Sequence, residues 1–87
     1  MQHVTIYTKP LCPYCWRAKA LLKKKGAEFE EIDVLMDTEA LQTMLERSGG
    51  RHTVPQIFVG DTHVGGSDEL AELEHDGRLD ELLSGVG

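Results

Sequence analysis

The sequence contains few cysteines and no long hydrophobic stretch. Only two of its 87 residues are cysteine, which is too few for the disulfide framework of a small secreted domain. No apolar run approaches the roughly 18 residues that a membrane-spanning helix needs, so no membrane partner is expected. The N-terminal residues MQHVT lack the basic and apolar regions of a signal peptide. The absences together predict a cytoplasmic protein.

The sequence also lacks an overall positive charge, and its first part lacks acidic residues. The formal net charge is -6, which argues against nucleic acid as the main partner. Residues 1–25 contain six lysines or arginines and no acid, whereas residues 26–87 contain all fifteen acids. Both cysteines lie in the basic segment. Three of the lysines, at 23–25, lie too far along a helix to act on Cys12 through physiological salt, and we expect them on a solvated face.

The length and composition are typical of one small globular domain, which we expect to span residues 1–87. Strand patterns occur at residues 3–8, 27–34, 55–59 and 62–64. Helical patterns occur at residues 13–25, 38–48, 67–76 and about 79–83. Ser67 is expected to cap the third helix. The order β-α-β-α-β-β-α-α predicts an α/β fold with a four-stranded mixed sheet flanked by helices.

The candidate reactive site is the segment Cys12-Pro13-Tyr14-Cys15. Pro13 suits the first position of a helix, so Cys12 is expected where free N–H groups and the helix dipole favour a thiolate. Cys15 lies about one turn further on the same face, within an apolar stripe. Lys9 adds a cation close to Cys12. The pattern predicts a redox-active dithiol with Cys12 as the exposed nucleophile and Cys15 as the sheltered resolving thiol.

A zinc site and a cysteine hydrolase are the alternatives from the residues alone. Structural zinc takes four ligands, but the sequence has no second C-x-x-C, and its four histidines lack the H-x3-5-H spacing. A hydrolase with a Cys–His pair would explain one cysteine, whereas redox chemistry explains both. We therefore expect no metal.

Three blocks of sequence resemble the glutaredoxins of the dithiol type, in order and over essentially the whole chain. The blocks are Tyr7-Thr8-Lys9 before the C-P-Y-C segment, Thr53-Val54-Pro55-Gln56-Ile57-Phe58, and Gly65-Gly66-Ser67-Asp68-Glu69-Leu70. The resemblance implies a thioredoxin-like fold and glutathione as cosubstrate. It implies an oxidoreductase that reduces protein disulfides and glutathionylated mixed disulfides, in cell redox homeostasis and electron transfer. The expected partners are glutathione and such proteins, and we expect a monomer.

The resemblance also implies a glutathione site. Its residues are Lys9, Tyr14, Thr53, Val54, Pro55, Ser67 and Asp68. Lys9 would pair with a glutathione carboxylate, Tyr14 would lie beside the tripeptide, and the Val54 backbone would bind its cysteine as a short added strand. In the family, the proline of the Thr-Val-Pro block is cis. Ser67 and Asp68 would bind the γ-glutamyl end at a helix N-terminus, although helix capping is the simpler interpretation of both.

The sequence departs from some glutaredoxins in ways that narrow its chemistry. Ser67 stands where some relatives have cysteine, so no third thiol competes for disulfides. The C-P-Y-C segment differs from the Cys-Gly-Phe-Ser form associated with iron–sulfur clusters, which leaves a cluster-bridged dimer through Cys12 as the less favoured alternative. A second alternative is a glutaredoxin-like protein that takes electrons from thioredoxin reductase and not from glutathione. Lys9, Tyr14 and the Ser67-Asp68 pair favour glutathione. Arg51 and His52 are expected in a surface loop.

Overall fold

The computed structural model describes residues 2–85, and its elements follow the predicted order. The strands are β1 (Val4–Thr8), β2 (Phe29–Asp33), β3 (Gln56–Val59) and β4 (Thr62–Gly65). The helices are α1 (Pro13–Lys24), α2 (Thr38–Ser48), α3 (Ser67–His75) and α4 (Leu79–Ser84). The α/β prediction is confirmed, and the differences from the predicted bounds are confined to the ends of elements. Within residues 2–85, no helix has the length and apolar character needed to cross a membrane.

The four strands form one mixed sheet in the order β2-β1-β3-β4. β1 runs parallel to β2 and antiparallel to β3, and β3 pairs with β4 as a hairpin. All five residues of β1 are buried, whereas the edge strand β2 has no fully buried residue. This burial follows from position, because a central strand is covered on both faces and an edge strand is not.

Hydrophobic clusters lie on both faces of the sheet, because successive side chains of a strand point to opposite sides. The larger cluster joins α1, α3 and α4 to the sheet; its buried members are Val4, Ile6, Ala18, Leu22, Ala27, Ile57, Val59, Leu70, Leu79 and Leu83. The smaller cluster lies under α2 and contains Tyr7, Val34, Met44 and Phe58. The helix that begins with the cysteines is therefore anchored by the larger cluster.

Two sequence-based expectations about helix ends are wrong. Ser67 is not the cap of α3: Gly66 is the N-cap residue, and its N–H donates to Glu69 Oε1 at 3.0 Å. The glutamate three residues on supplies the capping contact instead of the serine, and Ser67 becomes the buried first residue of the helix.

Lys25 is not on a solvated face. Its Nζ lies 2.6 Å from Glu74 and 3.2 Å from Asp80, and only 17% of its side chain is exposed. The two carboxylates belong to α3 and α4, so this contact depends on how the helices pack and not on the local charge pattern. The ammonium joins the end of α1 to both of the later helices.

Candidate active site

The two cysteines begin α1 but differ in their surroundings. Cys12 is the N-cap residue, with extended backbone angles, and its Sγ accepts a hydrogen bond from the Cys15 N–H at 3.2 Å. Cys12 is half-buried, while Cys15 is only 1% exposed. The N–H groups of a first helical turn have no partner within the helix, so one of them is free to stabilise negative charge on the Cys12 sulfur.

Burial dominates the acidity of the inner thiol. It raises the pKa of Cys15 to about 12, and the hydrogen bond and charge of Cys12 act in the same direction. The backbone N–H of Lys9 and the charge of Lys19 oppose this shift. Because the thiolate is the reactive form of cysteine, Cys15 is an inert thiol at neutral pH while Cys12 remains reduced beside it.

The Thr53-Val54-Pro55 segment forms the wall opposite the cysteines. The Sγ of Cys12 lies 4.0 Å from the carbonyl oxygen of Val54, 42 residues away in the chain, and the Val54-Pro55 peptide bond is cis. The antiparallel register of β1 and β3, which pairs Tyr7 with Gln56, brings these segments together. As a result, the segment that leads from β1 to Cys12 lies beside the segment that leads into β3.

The start of α3 borders the same segment. A Cβ atom at Gly66 would stand 3.4 Å from the carbonyl oxygen of Pro55. Ser67 is buried and Asp68 is exposed in the first turn that follows. The Thr53-Val54-Pro55 segment therefore lies between the N-terminal ends of α1 and α3.

Arg51 connects the loop before this segment to α3. As expected, Arg51 and His52 are both exposed. The Nη1 of Arg51 lies 3.0 Å from Glu69 Oε1, the same oxygen that accepts the Gly66 N–H. These contacts lower the pKa of Glu69, with the Gly66 hydrogen bond as the largest cause. The carboxylate thus joins the loop to the helix start.

Lys9 and Tyr14 lie in the segments that flank Cys12, and neither is buried. Lys9 lines a depression of about 370 Å³ together with Trp16 and Lys19, on the flank of α1 that faces β2. Tyr14 is 56% exposed, and the guanidinium of Arg17 lies 5.8 Å from the centre of its ring. A larger depression, of about 510 Å³, lies between β4, α3 and α4 and contains neither cysteine. The half-buried Cys12 therefore lies outside both of these depressions.

A polar connection that the sequence patterns did not predict lies behind the Thr53-Val54-Pro55 segment. Gln56 is fully buried, its Nε2 donates to the carbonyl oxygen and hydroxyl of Thr53, and its Oε1 lies 2.7 Å from His63 Nε2. A signal was present, because an amide between Pro55 and Ile57 in a predicted strand is enclosed by apolar residues. Buried polar groups of this kind are hydrogen-bonded, so partners could have been sought.

Comparisons with known proteins agree with this geometry. The glutaredoxin family model matches residues 4–64. Glutaredoxin 3 of Escherichia coli (strain K12) is 51% identical over 83 residues, which are 95% of this chain and 99% of the relative.

Two solved structures are similar throughout the fold. The solution structure of glutaredoxin from Brucella melitensis is 60% identical, with a TM-score of 0.82, and the match covers 95% of this chain and 89% of that one. The crystal structure of a buckwheat glutaredoxin–glutathione complex is 33% identical, with a TM-score of 0.84 and coverage of 94% and 76%. The expected thioredoxin-like fold is confirmed. On this likeness, which includes the segments that meet at the cysteines, the chain belongs to the glutaredoxin family of thiol–disulfide oxidoreductases.

Proposed function

We propose that this protein uses glutathione to reduce glutathionylated mixed disulfides and protein disulfides. The observation that carries the proposal is the position of the accessible Cys12 sulfur, between the Cys15 N–H and the Val54 backbone. The buckwheat relative was solved as a complex with glutathione, which supports the same cosubstrate here.

In the proposed reaction with a glutathionylated substrate, Cys12 acts alone. Its thiolate attacks the glutathione sulfur, a Cys12–glutathione disulfide forms, and the substrate thiolate leaves and takes a proton from water. A second glutathione thiolate then attacks the glutathione bound to Cys12. This step forms glutathione disulfide from the incoming glutathione and the glutathionyl group taken from the substrate, and it returns Cys12 as a thiolate, so one added glutathione reduces one mixed disulfide.

In the proposed reaction with a protein disulfide, Cys15 resolves the first intermediate. Cys12 attacks the disulfide and becomes bonded to the substrate, and its charge and hydrogen bond to Cys15 are lost. Both of these had raised the pKa of Cys15, so the resolving thiol ionises more readily once Cys12 has reacted. Cys15 then attacks Cys12, releases the reduced substrate and leaves a Cys12–Cys15 disulfide for glutathione to reduce.

The proposed glutathione site uses the segments that border Cys12. The Val54 backbone, held between Thr53 and Pro55, would pair with the cysteine of glutathione. The first turn of α3 would take the γ-glutamyl carboxylate on its free N–H groups, at Ser67 and Asp68. The closeness of Pro55 to Gly66 supports one continuous surface for the tripeptide.

Lys9 and Tyr14 complete the proposed site on the outer side. Lys9 would pair with the other carboxylate of glutathione, and Tyr14 would lie along the tripeptide. Both border the exposed start of α1, which supports their access to a ligand held at Cys12.

The setting of the reaction is part of the proposal. We propose that residues 1–87 act as one domain, as a monomer in the cytoplasm. A chain with only two cysteines and a reactive dithiol suits a reducing compartment.

The test is a comparison of electron donors. The purified protein is given a glutathionylated peptide and either glutathione with its reductase or thioredoxin reductase, and NADPH oxidation is followed. We expect turnover with glutathione and little with thioredoxin reductase. Turnover with thioredoxin reductase alone would overturn the assignment of the donor.

A further inference from the structure

A buried amide connects β4 to the segment opposite Cys12. Gln56 Nε2 lies 2.9 Å from the carbonyl oxygen of Thr53 and 3.1 Å from its hydroxyl, and Gln56 Oε1 lies 2.7 Å from His63 Nε2. Thr53 lies outside the helices and strands and is exposed. Side-chain hydrogen bonds therefore help to fix a position that no sheet ladder fixes.

The direction of every hydrogen bond in this connection follows from one group. The carbonyl oxygen of Thr53 can only accept, so the amide nitrogen of Gln56 must face it. The amide oxygen then faces His63, which must donate from Nε2. Burial is the largest cause that lowers the pKa of His63, and the nearby charges of Arg51 and Arg47 act in the same direction, while the charge of Glu69 opposes them. The lowered pKa favours the neutral ring, whose single proton then lies on Nε2.

The histidine ring is itself held in place. It stacks on Phe58 with the ring centres 4.8 Å apart and the planes 22° apart. Phe58 belongs to the buried cluster under α2, where Tyr7 meets its ring edge-on. The connection therefore begins at a packed core residue and ends at Thr53, next to the carbonyl that faces the Cys12 sulfur.

We propose that Gln56 and His63 are positioning residues. They hold the backbone of Thr53 and Val54 in the position, relative to Cys12, in which it binds glutathione. The proposal rests on the proposed function, in which the Val54 backbone binds the glutathione cysteine. Neither side chain would touch the reacting sulfur atoms. Their effect would be on affinity for the glutathionyl group and not on the reactivity of Cys12.

The test measures formation of the Cys12–glutathione disulfide in a Cys15→Ser background. The protein is equilibrated with mixtures of glutathione and glutathione disulfide, and the glutathionylated fraction is measured by mass spectrometry. His63→Phe keeps an aromatic ring but has no donor, and we expect its equilibrium constant to fall about fivefold, as for one lost hydrogen bond. His63→Gln keeps a donor near the place of Nε2 without the ring, and we expect it to stay within about twofold of the parent.

A second variant cuts the connection from its other end. Gln56→Met removes the amide while keeping similar length and packing, and we expect a loss comparable to that of His63→Phe. Because both changes break one connection, their combination should lose less than the product of the two single losses. If the fold-loss in the equilibrium constant of the double variant equals the product of the two single losses, the two residues do not act through one connection.

Tyr7→Phe is the matched control. Tyr7 packs against the same Phe58 ring, and its hydroxyl accepts a hydrogen bond from Arg47 at 3.2 Å, but that bond has no part in the connection to Thr53. We expect Tyr7→Phe to leave glutathionylation unchanged. The rate at which iodoacetamide alkylates Cys12 should be equal in all variants, since only the glutathionyl contacts differ.

The failures of this inference and of the proposed function are distinguishable. A parent protein that forms no glutathione disulfide would overturn the proposed function, and this inference with it. A parent that forms it together with a His63→Phe variant that forms it equally well would overturn the inference alone. An equal loss in Tyr7→Phe, or a change in alkylation rate that matches the loss, would overturn it too.

Discussion

The two thiols at the start of α1 are three residues apart, yet one is half-buried and the other lies within the core. Cys12 is the N-cap residue and faces the Val54 carbonyl, whereas Cys15 lies one turn deeper and is 1% exposed. Identical side chains thus acquire different chemistry from their surroundings, of which burial is the most important. Desolvation favours the neutral form of an acid, and it is the main reason that the pKa of Cys15 rises to about 12.

Removal of the outer thiol should have the largest effect on activity. We expect Cys12→Ser to abolish glutathione-dependent reduction of every substrate, because no other accessible sulfur can form the first disulfide. Turnover of a glutathionylated peptide, coupled to NADPH oxidation, measures this. Cys15→Ser is the matched control, and an equal loss in both variants would contradict the division of roles.

Alkylation tests the difference in acidity directly. Because the pKa of Cys15 is about 12, only about one in ten thousand Cys15 side chains is a thiolate at pH 8. Iodoacetamide should therefore modify Cys12 first, and the rate at Cys15 should rise about tenfold per pH unit up to about pH 11 in protein that stays folded. Peptide mapping of the alkylated protein gives both rates.

A further variant sharpens the alkylation test. Cys12→Ser removes the thiolate charge that raises the pKa of Cys15, so Cys15 should react faster at a given pH in that variant. An unchanged rate would show that Cys12 has no electrostatic effect on its neighbour.

Removing the inner thiol should separate the two classes of substrate. We expect Cys15→Ser to retain most of the activity on a glutathionylated peptide, because that route needs only Cys12. Reduction of a protein disulfide should fall tenfold or more, since the intermediate must then wait for glutathione. Parallel assays of the two substrates with one enzyme preparation check this, and equal retention of both activities would contradict a resolving role.

The smallest expected effect on the reaction concerns Lys19, a cation of α1. The charge of Lys19 lowers the pKa of Cys15 slightly, and its Nζ also pairs with Glu31 at 2.9 Å. Lys19→Met should slow the resolving step about twofold, as expected for a partly screened charge. Lys24→Met, on the exposed end of the same helix, is the control and should change nothing.

The stability of the fold should also reflect the inner thiol. In the unfolded chain Cys15 has an ordinary pKa near 9.0, and in the folded chain it is raised to about 12. Its contribution is therefore fully present below about pH 9 and is lost as the pH rises toward 12. Urea unfolding at pH 8 and pH 10 should show a smaller loss of stability in Cys15→Ala than in the parent.

Local features of the fold could be predicted because each depends on a few neighbouring residues. Pro13 and the apolar stripe that includes Cys15 predict α1. The cap of α2 is equally local, because the Asp37 carboxylate accepts the Ala40 N–H at 3.0 Å. The sequence predicts Ser67 as the cap of α3 because serine is a good cap in isolation. The turn through Gly65 and Gly66 and the reach of Glu69 decided otherwise.

Contacts between distant segments could not be predicted from such patterns. Lys25 has the composition of a solvated lysine, and only the packing of α3 and α4 brings Glu74 and Asp80 to it. Gln56 was visible as part of a matching block, but its partners lie three and seven residues away across a turn and a hairpin. The approach of His63 to Gln56 depends on the register of β3 and β4.

By itself, the sequence determined that the protein carries a dithiol at a helix start and an alternating order of strands and helices. Spacing and caps act over a few residues, where backbone periodicity limits the possibilities. The tertiary structure alone decided that Val54 faces Cys12, that Cys15 is enclosed and that His63 reaches Thr53 through Gln56. Those facts depend on strand register and helix packing, which bring Cys12 and Val54 together across 42 residues of the chain.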